Sequence, residues 1–257
     1  KTTLYGTSGC GISGFSSGVD AYVQVISTAL GVKGLEKTTL VPLRPAVARK
    51  GAKSIRTQRA WCPACFTEDL RAGGSAYERL LWTLAPLRRC PEHRIMLESM
   101  CPSCGATQPY YHRQGILSSC WKCSETLVPP ADRWVFSATP TFGEKDCCEL
   151  IQAISTGELE HAYPEAFRVF AEELKWLSSP TRKLIREVAR SSGSLIATGG
   201  QSRPSLVTML ARTHVSGVRL VSVLASPKDA AISAGELIFE RAGVPYTAKP
   251  RRPRDAV

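Results

Sequence analysis

The stretch Cys62-Pro63-Ala64-Cys65 decides the fold of this chain, together with three later pairs of the same spacing: Cys90-Pro91-Glu92-His93, Cys101-Pro102-Ser103-Cys104 and Cys120-Trp121-Lys122-Cys123. Two residues of one tight turn can bind the same metal ion, and two such ligand pairs complete a tetrahedron around Zn²⁺. The eight ligands therefore predict two structural zinc sites, with no coordination position open for a catalytic water.

Spacing along the chain indicates which ligand pairs share a metal. Fifteen residues separate Cys104 from Cys120, a spacing typical of zinc ribbons. We therefore assign Cys101, Cys104, Cys120 and Cys123 to one Cys₄ site, and Cys62, Cys65, Cys90 and His93 to a Cys₃His site. An interleaved arrangement, in which the first pair joins the third and the second joins the fourth, stays open at this point.

Local sequence favours metal binding over other uses of cysteine. Proline follows the first ligand in three of the pairs and stiffens the turn, and Gly105 permits the positive φ that closes the turn after Cys104. Repeated Cys-x-x-Cys pairs in a chain of this length argue against a disulfide framework, and the histidine argues against an iron–sulfur cluster. Cys10, Cys147 and Cys148 lack a partner at ligand spacing, and no catalytic constellation is evident.

The composition is that of a folded, basic protein. The 257 residues are 43% hydrophobic and carry a formal charge of +11, which predicts attraction to an acidic polymer such as DNA. No apolar run approaches the length of a membrane span, and we expect a cytoplasmic bacterial protein.

The segment of residues 37–67 is basic and contains no acidic residue. It supplies the candidate DNA contacts: Arg44, Arg49, Lys50, Lys53, Arg56 and Arg59. A solvated linker is the alternative interpretation. A second basic cluster lies in the tail, at residues 249–254.

Hydrophobic periodicity predicts helices around the metal region. Apolar residues recur at helical spacing over residues 19–30, 166–177, 181–190, 206–211 and 218–224, and Ser75 to Glu78 has the pattern of a capping box in front of a helix that ends at Pro86. We expect a mostly α fold with small irregular β structure, in which tandem zinc-ribbon modules are flanked by helical segments. The predicted domains are 1–58, 59–130 and 131–257. Trp61 and Trp82 are expected in the core.

Residues 59–127 closely resemble the TniQ family, which includes the TnsD-type target selectors of bacterial transposons. The resemblance is carried by Arg59-Ala60-Trp61-Cys62-Pro63-Ala64-Cys65, Tyr77-Glu78-Arg79-Leu80-Leu81-Trp82, Cys90-Pro91-Glu92-His93 and Cys101-Pro102-Ser103-Cys104-Gly105. It implies an adaptor and not an enzyme, with the eight residues above as metal ligands. Such adaptors bring a AAA+ ATPase of the TnsC/TniB type to double-stranded DNA, and in some relatives an RNA-guided CRISPR effector complex supplies the target. The N-terminal segment is expected to contact the ATPase, with no membrane or small-molecule partner.

The C-terminal half is similar to a repressor-like helix-turn-helix domain, but the segment between its predicted helices is short and rich in glycine. We therefore expect a degenerate helix-turn-helix or a protein-binding helical unit. The alternative function is a freestanding zinc-ribbon transcriptional regulator that binds one DNA sequence without an ATPase. A zinc-supported nuclease is a third hypothesis, for which the sequence offers no catalytic residues.

Overall fold

The chain folds into two units, which we describe from a computed structural model over residues 18–47, 54–110, 115–141, 143–175 and 206–242. Unit 1 comprises residues 1–44 and 49–160, and unit 2 comprises 45–48 and 161–257. The predicted domains 1–58, 59–130 and 131–257 stay predictions, and apart from residues 45–48 the two units divide between residues 160 and 161. Among the described residues, no helix is long and apolar enough to cross a membrane.

The first helix in the described part of unit 1 is α1 (Gly18–Leu30), which the periodicity of residues 19–30 predicted. Its N-terminal end is tied to the chain that follows, because both guanidinium Nη atoms of Arg44 donate to the carboxylate of Asp20 at 2.6 and 3.0 Å. Two short 3₁₀ turns, Leu35–Thr38 and Val41–Leu43, lead away from α1. Of the side chains of α1, only that of Val19 is buried.

The metal region has few helices and, within the part of the chain described, no extended strands. Isolated antiparallel bridges hold its backbone together, including Trp61 with Glu98 and Arg89 with Met96. Its helix α2 (Pro63–Arg71) starts at the first ligand pair, where Cys62 is the extended N-cap residue and Pro63 occupies the first helical turn. The first pair is thus the start of a helix, and not the isolated tight turn that we predicted.

Three aromatic side chains form the core beside α2. The rings of Trp61 and Phe66 are stacked with centroids 6.4 Å apart, and Trp82 meets Phe66 edge-on at 5.7 Å. Trp61 and Trp82 are buried, and the indole N–H of Trp61 donates to the carbonyl of Leu127 at 2.9 Å. Both tryptophans therefore lie in the core, as expected, because a metal site is too small to bury much apolar surface by itself.

The predicted helix after the capping-box pattern is not formed. Only a 3₁₀ turn, Leu80–Thr83, is present, and Arg79 before it has extended backbone. The carboxylate of Glu78, which the pattern would place at the start of the helix, pairs instead with Arg59. A capping box stabilises a helix only when its acidic residue returns to the N-terminal backbone.

Helix α3 (Glu144–Thr156) completes unit 1 and is fixed to the metal region by a buried ion pair. The Nη2 and Nε atoms of Arg89 donate to the two carboxylate oxygens of Glu144 at 2.5 and 3.0 Å, and both side chains are buried. The same guanidinium donates to the carbonyls of Ser137 and Ala138. This contact explains why residues 131–160 belong with the metal region.

The described part of unit 2 contains the helices α4 (Ala166–Lys175), α5 (Leu206–Ser216), α6 (Leu220–Ala225) and α7 (Pro227–Ala242), with turns between them. Its core contains Phe167, Phe170, Leu210 and Leu224. The segment Pro45–Val47 also belongs to this unit: the carbonyl of Pro45 accepts from the backbone N–H of Glu165 at 3.4 Å. The predicted helix at 181–190 and the segment that would decide a helix-turn-helix lie outside the described residues.

Candidate metal centres

Three of the four ligand pairs share one backbone turn, which we call the knuckle. In each, the N–H of the first ligand donates to the carbonyl five residues later, and the N–H four residues later donates back to the carbonyl of the first ligand, as at Cys90, Cys101 and Cys120. The residue after the second ligand has positive φ in every case: Arg94 at 57°, Gly105 at 69° and Ser124 at 64°. The local sequence thus aims both ligand atoms of a knuckle to the same side.

The first centre brings together Cys62, Cys65, Cys90 and His93. Nδ1 of His93 lies 3.7, 3.3 and 3.7 Å from the sulfurs of Cys62, Cys65 and Cys90, and the sulfurs of Cys65 and Cys90 are 3.7 Å apart. A tetrahedral ion with Zn–S of about 2.3 Å and Zn–N of about 2.0 Å requires edges of about 3.8 and 3.5 Å. The donor set and its spacing therefore fit zinc.

The orientation of His93 is fixed by Glu68. Nε2 of the imidazole lies 2.9 Å from Oε1 of Glu68, while Nδ1 faces the three sulfurs. Glu68 stands on α2 one turn beyond Cys65, so the same helix supplies one ligand and the carboxylate behind another. A metal-bound histidine typically donates its second N–H to such a carboxylate.

The second centre brings together Cys101, Cys104, Cys120 and Cys123. The sulfurs of Cys101 and Cys123 are 3.6 Å apart and those of Cys104 and Cys120 are 3.7 Å apart. These distances are close to a tetrahedral edge and far from the roughly 2.05 Å of a disulfide. The first ligand pair therefore shares a centre with the second, and the third shares a centre with the fourth. The interleaved arrangement is not observed.

Gln108 is a buried support of the second centre that the sequence analysis missed. Its side-chain amide donates to Sγ of Cys120 at 3.4 Å and to the carbonyl of Ala106 at 2.7 Å, and its Oε1 accepts from the N–H of Trp121 at 3.2 Å. Gln108 is fully buried. A single glutamine gives no recognisable signal in a sequence, because its role depends on contact with Cys120 and Trp121, which lie 12 and 13 residues later.

The thiols of both centres favour a cation among them. Hydrogen bonding to Cys62 raises the pKa of Cys65, whereas hydrogen bonding to Cys62 lowers the pKa of Cys90, so one sulfur gains negative charge at its neighbour's expense. At the second centre burial raises the pKa of Cys120, but N–H groups of Cys123, Lys122 and Gln108 outweigh it and lower the pKa to about 6. A divalent ion compensates several thiolates at once, which is the chemistry that zinc would supply when bound.

The centres differ in exposure. Cys62, Cys65 and Cys90 are buried, while Cys104 is exposed and Cys123 is half-buried. Every ligand position of each tetrahedron is taken by a protein side chain. Neither arrangement therefore offers the open coordination position that a catalytic zinc ion uses.

The candidate DNA contacts are not free cations where the structure describes them. Arg59 is 0% exposed and pairs with Glu78, so the prediction that it contacts DNA is incompatible with its position. Arg56 donates to the carbonyls of Trp82 and Leu87, and Arg44 is bound to Asp20. Arg49, Lys50 and Lys53 lie outside the described residues. The charge run alone could not reveal this, because burial depends on the tertiary fold.

Comparison with known proteins identifies the family. The TniQ family model matches residues 27–97, a span that holds all four ligands of the first centre and ends before Cys101. No curated protein matches the chain. The matched segment ends four residues before the first ligand of the second centre. Residues 27–97 of this chain are thus similar to the TniQ family, which is linked to DNA transposition.

Proposed function

We propose that this protein is a TnsD-type target-selection adaptor of bacterial DNA transposition, in which two zinc ions hold a recruiting surface in shape. The observation that carries the proposal is the TniQ match over residues 27–97, which encloses a complete Cys₃His ligand set. Two closed tetrahedral sets favour a scaffold over a reaction centre. The partners are a AAA+ ATPase of the TnsC/TniB type and double-stranded DNA, with a CRISPR effector complex as the alternative source of the target.

The metal assignment is tested by native mass spectrometry. Cys101→Ser and Cys120→Ser should each lower the zinc content from two ions to one per chain, because three remaining thiolates form an incomplete site. Cys147→Ser is the matched control, since Cys147 is a buried thiol outside both centres. Unchanged zinc in the first two variants would refute the assignment.

Recruitment is tested by a pull-down with a AAA+ ATPase of the TnsC/TniB type, with and without duplex DNA. The adaptor should retain the ATPase in at least one of these conditions. If the ATPase fails to bind in both, and the protein alone binds one DNA sequence tightly, the freestanding regulator is the better description.

The proposed DNA contact now depends on Arg49, Lys50 and Lys53. Their replacement by Gln should reduce the slope of log affinity against log salt concentration by about 0.9 for each lost phosphate contact. The matched control replaces the exposed cations Arg133, Lys145 and Lys228 by Gln. An equal reduction in both variants would show a general effect of net charge, and no reduction in the first would make residues 48–53 a linker.

A further inference from the structure

An open groove of about 930 Å³ lies on unit 1 and borders the first metal centre, because the ligand Cys90 is among the residues that line it. Its apolar lining includes Leu80 and Leu81, from the segment that follows Tyr77, and Ile151 of α3. Its charged lining includes Lys33, Lys37 and Glu92. None of the candidate DNA contacts that the structure describes lines this groove.

The Tyr77 side of the groove is held rigid before anything binds. The guanidinium of Arg79 lies 4.3 Å from the ring centroid of Tyr77 and 4.8 Å from that of Trp82. It is also held by Asp69 through two hydrogen bonds of 3.0 Å. Trp82 is buried, yet Tyr77 is 55% exposed. A fixed, exposed tyrosine beside an arginine is the composition of an interface hot spot, because little side-chain entropy is left to lose on binding.

The charges of the groove select the sign of the occupant. Glu78 is paired with Arg59, and Arg79 with Asp69, whereas neither Lys33 nor Lys37 has a carboxylate partner among the residues described. Two unpaired ammonium groups therefore attract carboxylates. The carboxylate of Glu92 also lines the groove and lies 3.8 Å from the sulfur of Cys65. Its negative charge repels anions from the surface next to the first centre.

We propose that this groove binds a peptide segment of a partner protein in which apolar side chains are followed by acidic ones. Leu80, Leu81 and Ile151 contact the apolar side chains, Tyr77 packs against the peptide, and Lys33 and Lys37 bind its carboxylates. A nucleic-acid strand is disfavoured, because its evenly spaced phosphates would meet the carboxylate of Glu92 as well as the lysines, whereas a peptide can place its carboxylates at Lys33 and Lys37 alone. The inference deepens the proposed adaptor function, on which the identity of the partner rests.

The test uses the zinc-loaded full chain and a short fluorescein-labelled peptide that has a leucine pair followed by glutamates. Fluorescence anisotropy should show saturable binding, weakened about tenfold or more by the double variant Lys33→Glu/Lys37→Glu and by Tyr77→Ala. The charge-matched control is Lys145→Glu/Lys228→Glu, two exposed lysines outside the groove, which should bind as the wild type does. Circular dichroism and zinc content confirm that each variant is folded.

Each outcome separates the possibilities. Equal binding by the groove variants and the wild type overturns the inference, as does displacement of the peptide by an unlabelled DNA duplex. A peptide with serines in place of the leucines should bind about tenfold more weakly, because two apolar anchors are lost. Wild-type protein that binds the peptide but not a AAA+ ATPase of the TnsC/TniB type contradicts the adaptor function and leaves the groove assignment standing.

Discussion

The guanidinium of Arg59 is fully buried, pairs with Glu78, and donates to the carbonyl of Leu117 at 2.7 Å. Its Nη1 atom has no hydrogen-bond partner in the structure described. Burial raises the pKa of Glu78, although Arg59 opposes that rise. The pair therefore depends on both members, and it ties the chain before Cys62 to the segment that lines the groove.

Removal of the acid from this pair should be costly. Glu78→Ala leaves a buried cation without its counter-ion, and we expect the free energy of unfolding to fall by about 3 kcal/mol or more. Urea denaturation followed by tryptophan fluorescence measures the loss. Glu172→Ala removes an exposed partner of Arg168 and should leave the midpoint almost unchanged; a similarly small effect of Glu78→Ala would show that the Arg59 pair contributes little.

Glu68 gives a second prediction at this scale. Because it accepts from Nε2 of His93 and so presents Nδ1 to the metal, Glu68→Ala should weaken zinc affinity at the Cys₃His centre by about tenfold or more. Competition with a chromophoric chelator resolves the two centres. The Cys₄ centre serves as the internal control, and equal weakening of both would indicate a general loss of stability.

Individual ligands could be predicted from the sequence because each pair is defined within four residues. Their supporting groups could not. Glu68 and Gln108 act across turns that are distant in the sequence, and the buried state of Arg59 follows from packing. The same charge pattern that suggested DNA contacts would occur whether these side chains faced solvent or the interior.

Among the elements of the fold, the knuckle shows most directly how backbone geometry supports the metal centres. The residue that closes each knuckle has positive φ: Arg94, Gly105 and Ser124. Of these three, only Gly105 adopts this conformation without steric cost. A side chain added at Gly105 would meet no atom within 4 Å. The cost of substitution there is therefore backbone strain alone.

Substitution at the closing residue of a knuckle should therefore either lower or raise stability, depending on whether glycine is removed or introduced. Gly105→Ala should destabilise the zinc-loaded protein by about 1 kcal/mol, and Arg94→Gly should stabilise it by less, because glycine loses more entropy on folding. Arg94→Ala is the matched control: it removes the same side chain but keeps the strain, so it should not stabilise. Urea midpoints in saturating zinc measure all three, and a gain in Arg94→Ala equal to that in Arg94→Gly would assign the effect to the side chain.

Helix prediction succeeded where an apolar stripe at helical spacing was visible in the sequence. Helices α1, α4, α5 and α6 follow the predicted periodicity. Helices α2 and α3 were not predicted, since α2 begins inside a ligand pair and the stripe of α3 includes Cys147, and α7 was not predicted either. The predicted helix after Ser75 was wrong: Glu78, its expected capping residue, pairs with Arg59, which lies 19 residues earlier in the sequence.

For the whole molecule, the eight ligands are all in unit 1, and the described part of unit 2 has a core of its own. Metal binding energy in such centres is effectively folding energy. The two units should accordingly respond differently to the loss of metal, which neither the composition nor the net charge of the chain would predict.

Chelation of zinc should unfold the metal region and spare the helices of unit 2. Hydrogen exchange read by mass spectrometry should show lost protection over residues 59–127, while α4 to α7 keep theirs. Restoring zinc is the control for reversibility. Loss of protection in α6 and α7 on the same timescale would contradict independent stability of unit 2.

The position of Pro45–Val47 limits how this protein can be divided. This short segment lies within the unit that otherwise begins at residue 161, although the residues before and after it belong to the other unit. A truncation at residue 160 would leave the buried side chains of Ala46 and Val47 without their neighbours, and a fragment starting at 161 would have an unfilled place in its core. A fragment of residues 161–257 would regain its missing part only if a fragment of residues 1–160 supplied residues 45–48. Either fragment expressed alone should therefore be prone to aggregation.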